Sequence, residues 1–337
     1  MNYINPNQQK IKDALQTHKK GLLEFTKQKV NVCIIDEVKD WLNDSKLEDI
    51  LTKEPNNLIT INAQFFSELP NYSLDEFNSY VQDIRKRKLT NEQSSIRTKY
   101  SPFKKELEKI FDYNNNFSVK DSQYSTYDLA KNLNIPTCPY CNRIYTKTVI
   151  NKKENGEIKK LTRPEFDHWY PKSKYPLLAL SFYNLIPSCH TCNSSVKGDT
   201  DFTLETHLHP YVDKEINMQF SYEYDKGLSN YKFKIKYKGD TNNKAKTTAE
   251  EFKLKEIYET HEDEIKDLLR IKNVYTDTYL QKLEKLLLET SISSKEIYRL
   301  AFGTYRDESE FDKRPLSRMK RDILKELDII KNGDDEK

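Results

Sequence analysis

The chain has 337 residues, 36% hydrophobic and 32% charged, with 56 basic against 53 acidic side chains and a formal net charge of +3. That length allows one large core or a few small ones, and the near-balance of charge neither requires nor excludes a nucleic-acid partner, which only clustering would show. Seven glycines leave no Gly-rich phosphate loop or dinucleotide fingerprint, no apolar run approaches the ~18 residues that span a bilayer, and the opening Met1-Asn2-Tyr3-Ile4-Asn5 lacks a signal-peptide layout, so a cytoplasmic protein without a membrane partner is expected.

From Asn5 to about Phe111 the apolar pattern predicts helices. Ile11, Leu15, Leu22, Leu23 and Phe25 recur near spacings of three and four, as do Ile34, Ile35, Val38, Trp41 and Leu42. Ser73-Leu74-Asp75-Glu76 ahead of Phe77 and Tyr80 predicts a helix start. The basic tract Arg85-Lys86-Arg87-Lys88 reads as a solvated helix end in preference to a phosphate-contacting patch. Asp112 to Phe117, with its three consecutive asparagines, reads as a loop or linker, and a short helix near Tyr127 to Leu133 leads into the first cysteine pair. Past the central stretch, His207, His209 and Tyr211 are expected in a loop packed on the core. Met218 to Tyr224 and Tyr231 to Tyr237 alternate as the strands of an antiparallel hairpin. Helical spacing returns from Ala249, through Phe252, Leu254, Ile257 and Tyr258, and on to Tyr279, Leu280, Leu283, Leu286 and Leu287. A basic tract from Lys313 to Arg321 is expected to precede the last apolar helix, and the tail from Lys331 to Lys337 to fray.

The chemistry concentrates between Cys138 and Asp199. Four of the five cysteines form two Cys-x-x-Cys pairs, Cys138/Cys141 and Cys189/Cys192, a pattern that in a reducing compartment points to a metal rather than to disulfides. Two such pairs supply the four thiolates of a structural zinc site. His190, inside the second pair, is expected to point outward. Between the pairs lie Asp167-His168 and Asn184; Asn193 directly follows the last cysteine, and Lys197 falls four residues later, on the same face if the segment is helical. Trp169 and Tyr170 are expected to pack. Lys197 is expected either to contact a phosphate or to cap a solvated face. Asp167 and Asn193 offer the hard oxygen donors that suit Mg²⁺ or Mn²⁺, and His168 is the residue type that accepts a proton from water near neutral pH. Adjacent residues on a regular strand face opposite sides, so Asp167 and His168 need an irregular strand end to converge.

From Pro136 to Asp199 these residues resemble the HNH endonucleases with the ββα-metal fold, in their zinc-stapled form. The resemblance implies that Asp167 and Asn193 bind one catalytic divalent metal, that His168 is the general base, and that Asn184 braces the loop presenting it. An Asn stands at 193 where the family name expects His. The fold class implied is α+β: a mostly helical chain around a small zinc-stabilised core, divided into a helical region 1–118, the nuclease core 119–212 and a hairpin plus helical region 213–337. The implied function is metal-dependent hydrolysis of nucleic acid, DNA in preference to RNA, with a look similar to HNH subunits of bacterial anti-phage systems such as Septu-type, which act with a separate ATPase or sensor subunit. The alternatives are an RNA-cleaving toxin on the same core and a non-catalytic zinc-stabilised nucleic-acid-binding module.

Overall fold

A computed structural model of the chain describes residues 1–152, 158–227, 230–239, 243–274 and 293–330. It is α+β, with helices around three two-stranded antiparallel sheets. The N-terminal half is helical, as its periodicity predicts: α1 (Gln9–Asn31), α2 (Asp36–Trp41), α3 (Asp44–Thr52), α4 (Pro55–Glu68), α5 (Leu74–Asp83), α6 (Asn91–Ile110) and α7 (Thr126–Leu133). Ser73 caps α5 by accepting from the Glu76 amide, and Thr90 forms a reciprocal capping box with Gln93 at α6, each satisfying amides that a helix start leaves bare. Among the described residues, no helix is long and apolar enough to cross a membrane.

The sheets are β1 (Val149–Lys152) with β2 (Ile158–Thr162), β3 (Glu165–His168) with β4 (Leu185–Ser188), and β5 (Met218–Asp225) with β6 (Asn230–Tyr237). In the last pair Met218 opposes Tyr237 and Phe220 opposes Ile235, so the alternation read in the sequence sets the register, with Met218, Phe220 and Phe233 buried. The C-terminal helices are α8 (Lys244–Glu251), α9 (Leu254–Glu259), α10 (Glu262–Val274), α11 (Ser294–Phe302) and α12 (Ser317–Glu326). Tyr279 to Leu287 and the tail from Lys331 lie outside the described residues.

Two local readings change. Tyr113–Phe117, in the stretch expected as a loop or linker, is a π-helical turn; the Asp112 carboxylate caps it through the Asn115 amide at 2.9 Å, and Phe117 is fully buried. The aromatic residues at its ends, not the polar asparagines between them, decide its placement. The basic tract at 313–321 does not precede the last helix but runs into it. Ser317 opens α12, and the buried Arg318 donates to the carbonyls of Met1, Ile216 and Met218, tying the helix to β5 and to the N-terminal segment.

The helical regions hold the centre from both sides. In the buried stripe of α1, His18 donates from Nε2 to the Leu180 carbonyl at 2.7 Å. Ser181 donates to the Ile50 carbonyl of α3 at 2.5 Å. The loop 169–184, between β3 and β4, is thereby fixed to the N-terminal helices.

Candidate active site and zinc centre

The four paired cysteines converge. They are buried, and their sulfurs all lie within 4.8 Å of one another, with Cys141 Sγ to Cys189 Sγ at 3.9 Å. A tetrahedron with zinc–sulfur bonds of about 2.3 Å has sulfur–sulfur edges of about 3.8 Å, so the spacing fits zinc. The first pair sits on a tight turn that Asn142, at φ 49°, completes in the left-handed region that asparagine tolerates. The Arg143 amide donates to Cys141 Sγ at 3.4 Å. The Asn142 amide group donates to Thr137 Oγ1 and the Phe311 carbonyl, its oxygen accepts from the Arg318 amide, and the Tyr258 hydroxyl donates to the Cys141 carbonyl. The cysteine turn is therefore the junction between the centre and the C-terminal helices. Cys33, the fifth cysteine, is buried elsewhere, and His190 is exposed as expected.

β3 delivers the acid and the histidine. Asp167 is 1% exposed and accepts from the Tyr140 hydroxyl at 2.5 Å and from Lys197 Nζ at 3.0 Å. Lys197 is 2% exposed and also donates to the His168 carbonyl at 2.9 Å. The sequence reading placed Lys197 at a phosphate or on a solvated face; the structure places it inside, its charge matched by Asp167. The reason is geometric. After β4 the chain forms a π-helical turn, Thr191–Lys197, closed by the Gly198 amide on the Asn193 carbonyl. A single helical turn advances the chain by a length comparable to a two-residue step along a strand, about 6.6 Å. Asn193 and Lys197 consequently meet Glu165 and Asp167, the residues on one face of β3.

Asn193 donates to Glu165 Oε2 at 2.8 Å, rather than meeting Asp167 directly. Glu165, which sequence reasoning passed over, also accepts from His190 Nδ1 at 2.8 Å and from Ser194 Oγ at 2.9 Å. Burial pushes its carboxyl up, and the hydrogen bonds from Asn193, His190 and Ser194 more than offset this, holding it below the usual range. The available signal was its place two residues before Asp167 on a strand.

His168 ends β3, and its Nε2 lies 3.0 Å from the Ala179 carbonyl. A carbonyl only accepts, so the proton sits on Nε2 and the Nδ1 lone pair is left for another partner. Burial, and then the Lys172 charge, push its pKa down to about 3; the ring is neutral. Tyr113 packs edge-on against it at 4.5 Å between centroids.

Asn184 is fully buried and ties the loop that carries Ala179. Its oxygen accepts from the Tyr170 amide at 2.7 Å, and its amide group donates to the Tyr170 and Leu178 carbonyls at 3.1 and 3.0 Å. Trp169 and Tyr170 are packed as expected, the indole donating to the Leu208 carbonyl at 3.2 Å. His209 and Tyr211 are buried as well. The His209 ring lies 4.7 Å from that of Trp169, and its Nδ1 accepts from the Tyr211 amide.

Glu165, Asp167, His168, Asn193 and Lys172 line one cleft of ≈ 520 Å³. Its oxygen-bearing side chains are the donor class that Mg²⁺ and Mn²⁺ take, so a hard divalent ion fits their chemistry. Among the described residues, the four cysteines are the cluster of three or more His, Cys, Asp or Glu groups close enough to share an ion.

Comparison with known proteins finds local likeness. The chain is 33% identical over 117 residues to protein ea31 of Escherichia phage lambda, which is 34% of this chain and 33% of that protein. It is 42% identical over 53 residues to Septu protein PtuB of Bacillus thuringiensis, 16% of this chain and 20% of that protein. The chain thus matches a third and a fifth of the length of these relatives. No family model matches, and no solved structure matches.

Proposed function

We propose that the protein is a metal-dependent HNH-type endonuclease that hydrolyses phosphodiester bonds, DNA in preference to RNA, as the nuclease effector of an anti-phage defence system acting with a separate ATPase or sensor subunit. The observation that carries this reading is that His168 and the oxygen donors Asp167 and Asn193 line one cleft of a chain that also gathers four thiols at one point. The local identity with a Septu protein supports the defence assignment.

In this reading His168 Nδ1 takes a proton from the attacking water, while the Nε2–H bond to Ala179 keeps the ring in that tautomer and orientation. The low proton affinity of the free site keeps the ring in its accepting form. An anionic phosphodiester beside it raises that affinity by simple charge attraction. Asp167 and Asn193 would hold the divalent ion, with Lys197 balancing the Asp167 charge from behind and Glu165 fixing the Asn193 amide. Such an ion, when bound, supplies charge stabilisation to the departing oxygen. Asn184 keeps Ala179 in place.

The test is cleavage of plasmid DNA and of total RNA by the wild type and His168→Ala, with Mg²⁺, Mn²⁺ or EDTA, zinc content being measured on both proteins. Metal-dependent cutting of DNA that falls by at least about 100-fold in a folded, zinc-loaded variant is expected. Loss of RNA alone would favour the toxin. Cleavage of neither, even with the partner subunit added, would leave the non-catalytic zinc module as the better reading.

A further inference from the structure

The cleft carries three carboxylates that a nucleic-acid backbone would have to pass. Glu165, Asp167 and Asp199 all line it, and the lysine expected to receive a phosphate, Lys197, is spent on Asp167. A phosphodiester needs another cation, and two line the cleft, Arg163 and Lys172. Arg163 donates to the Pro164 carbonyl at 2.7 Å and lies over the Tyr127 ring, which leaves Lys172 as the one held beside the histidine.

Lys172 lies in the same cleft as His168. Its ammonium stands 4.8 Å from the Tyr113 ring centroid and donates to Asn114 Oδ1 at 2.5 Å. Tyr113 in turn packs against His168. The asparagine-rich turn thus holds one cation at a fixed place beside the histidine. An ammonium has three donors, and among the described residues Lys172 gives one of them to Asn114. At the rim, Arg85 pairs with Asp199 at 3.0 Å while 86% exposed, an ion pair weak enough for a phosphate to replace. The whole tract Arg85-Lys86-Arg87-Lys88 is exposed. Its backbone is fixed all the same, because Arg97 of α6 donates to the carbonyls of Asp83, Ile84 and Lys86 at 2.7–3.1 Å.

We propose that Lys172 is the phosphate-gripping cation of this cleft and that the exposed Arg85–Lys88 turn continues its track along the rim. A nucleic-acid backbone then enters past Asp199, displaces it from Arg85, and seats one phosphate on Lys172 with the adjoining bond facing His168. This rests on the nuclease reading and assigns the substrate path within it. It also revises the reading of Arg85–Lys88 as merely a solvated helix end.

Binding separates this proposal from the chemistry. The full, zinc-loaded chain, with no magnesium or manganese added, is titrated into labelled duplex DNA, single-stranded DNA and single-stranded RNA by fluorescence anisotropy, between about 50 and 200 mM salt. Lys172→Gln is expected to weaken binding about tenfold and to reduce the slope of log K against log salt by about one, the signature of one lost phosphate contact. Lys172→Arg is expected to restore most of the affinity. Arg85→Gln with Arg87→Gln is expected to lower the slope further, whereas Lys232→Gln, on β6 and paired with Asp225, leaves it unchanged. Which probe binds tightest distinguishes a DNA backbone from an RNA one. Wild-type binding with the same slope in a Lys172→Gln protein of wild-type melting temperature overturns the proposal alone. A wild type that binds none of the three overturns it together with the nuclease reading.

Discussion

Asn184→Ala tests whether one buried amide holds the loop that orients His168. The wild-type side chain makes three hydrogen bonds, to the Tyr170 amide and to the carbonyls of Tyr170 and Leu178, with no exposure to solvent. Each bond contributes about 1 kcal/mol net, and buried backbone groups left without a partner cost more, so the substitution should destabilise the fold by about 3–5 kcal/mol. That is a large share of the roughly 5–15 kcal/mol available to a typical domain. Urea unfolding of the zinc-loaded chain measures it, with the m-value showing whether the native state stays compact. Asn184→Asp should be worse near neutral pH, since a carboxylate would face two carbonyls. It should recover as pH falls, because the protonated acid donates again: its folded pKa would be raised, so its stabilising contribution exists below that value and disappears as pH rises through it. A loss below about 1 kcal/mol for the alanine variant would show that the loop is held by its docking on α1 and α3 instead, and would remove the physical basis for treating Asn184 as the brace.

Metal analysis should find one zinc per chain, and Cys138→Ser or Cys192→Ser should lose it. Hydrogen exchange should then rise in α9 and α12, because Tyr258 and Arg318 reach the cysteine turn directly. Burial pushes the pKa of His18 down to about 4 and those of His168 and His209 down to about 3, while the hydrogen bond that His190 donates to Glu165 raises that of His190. The NMR ring signals of those three should therefore stay those of neutral imidazole as pH falls to about 5, with His190 titrating above the ordinary value near 6.5. The unfolded chain takes up protons below that value while the native state does not, so these three groups should cost stability as pH falls from about 6.5 toward 4, by up to about 4 kcal/mol per pH unit. Early titration of His168 or His209 in the folded chain would refute the burial argument. Lys197→Met should destabilise by about 3–5 kcal/mol by stranding the buried Asp167 charge, and the double variant Lys197→Met/Asp167→Asn should recover much of that loss; equal losses in both would show that the ion pair is not what Lys197 contributes.

Local pattern was enough for much of this protein. A two-residue gap lets both thiols of a pair turn toward one ion, so two matched pairs in the sequence pointed to the cysteine centre that the fold assembles. Period-two alternation fixed the β5–β6 hairpin, and period-3.6 apolar residues fixed the helices of the N-terminal half. Asp167, His168, Asn184 and Asn193 could be singled out because they lie close in sequence and in a telling order.

What the sequence did not carry was which side chain meets which across the fold. Asn193 sits against Glu165, and Lys197 against Asp167, because a helical turn after β4 lies along one face of β3, and no local periodicity encodes that register. The asparagine-rich turn looked like a linker because its composition is polar, yet Tyr113 and Phe117 anchor it beside the histidine. His18, which shares a mainly apolar buried stripe with Thr26, gave no sign that its partner was the carbonyl of Leu180 in the central loop. Composition and spacing determined the elements and the chemistry-bearing residues; docking the helical flanks onto the 169–184 loop decided which charges are buried, which face the cleft, and which way the imidazole points.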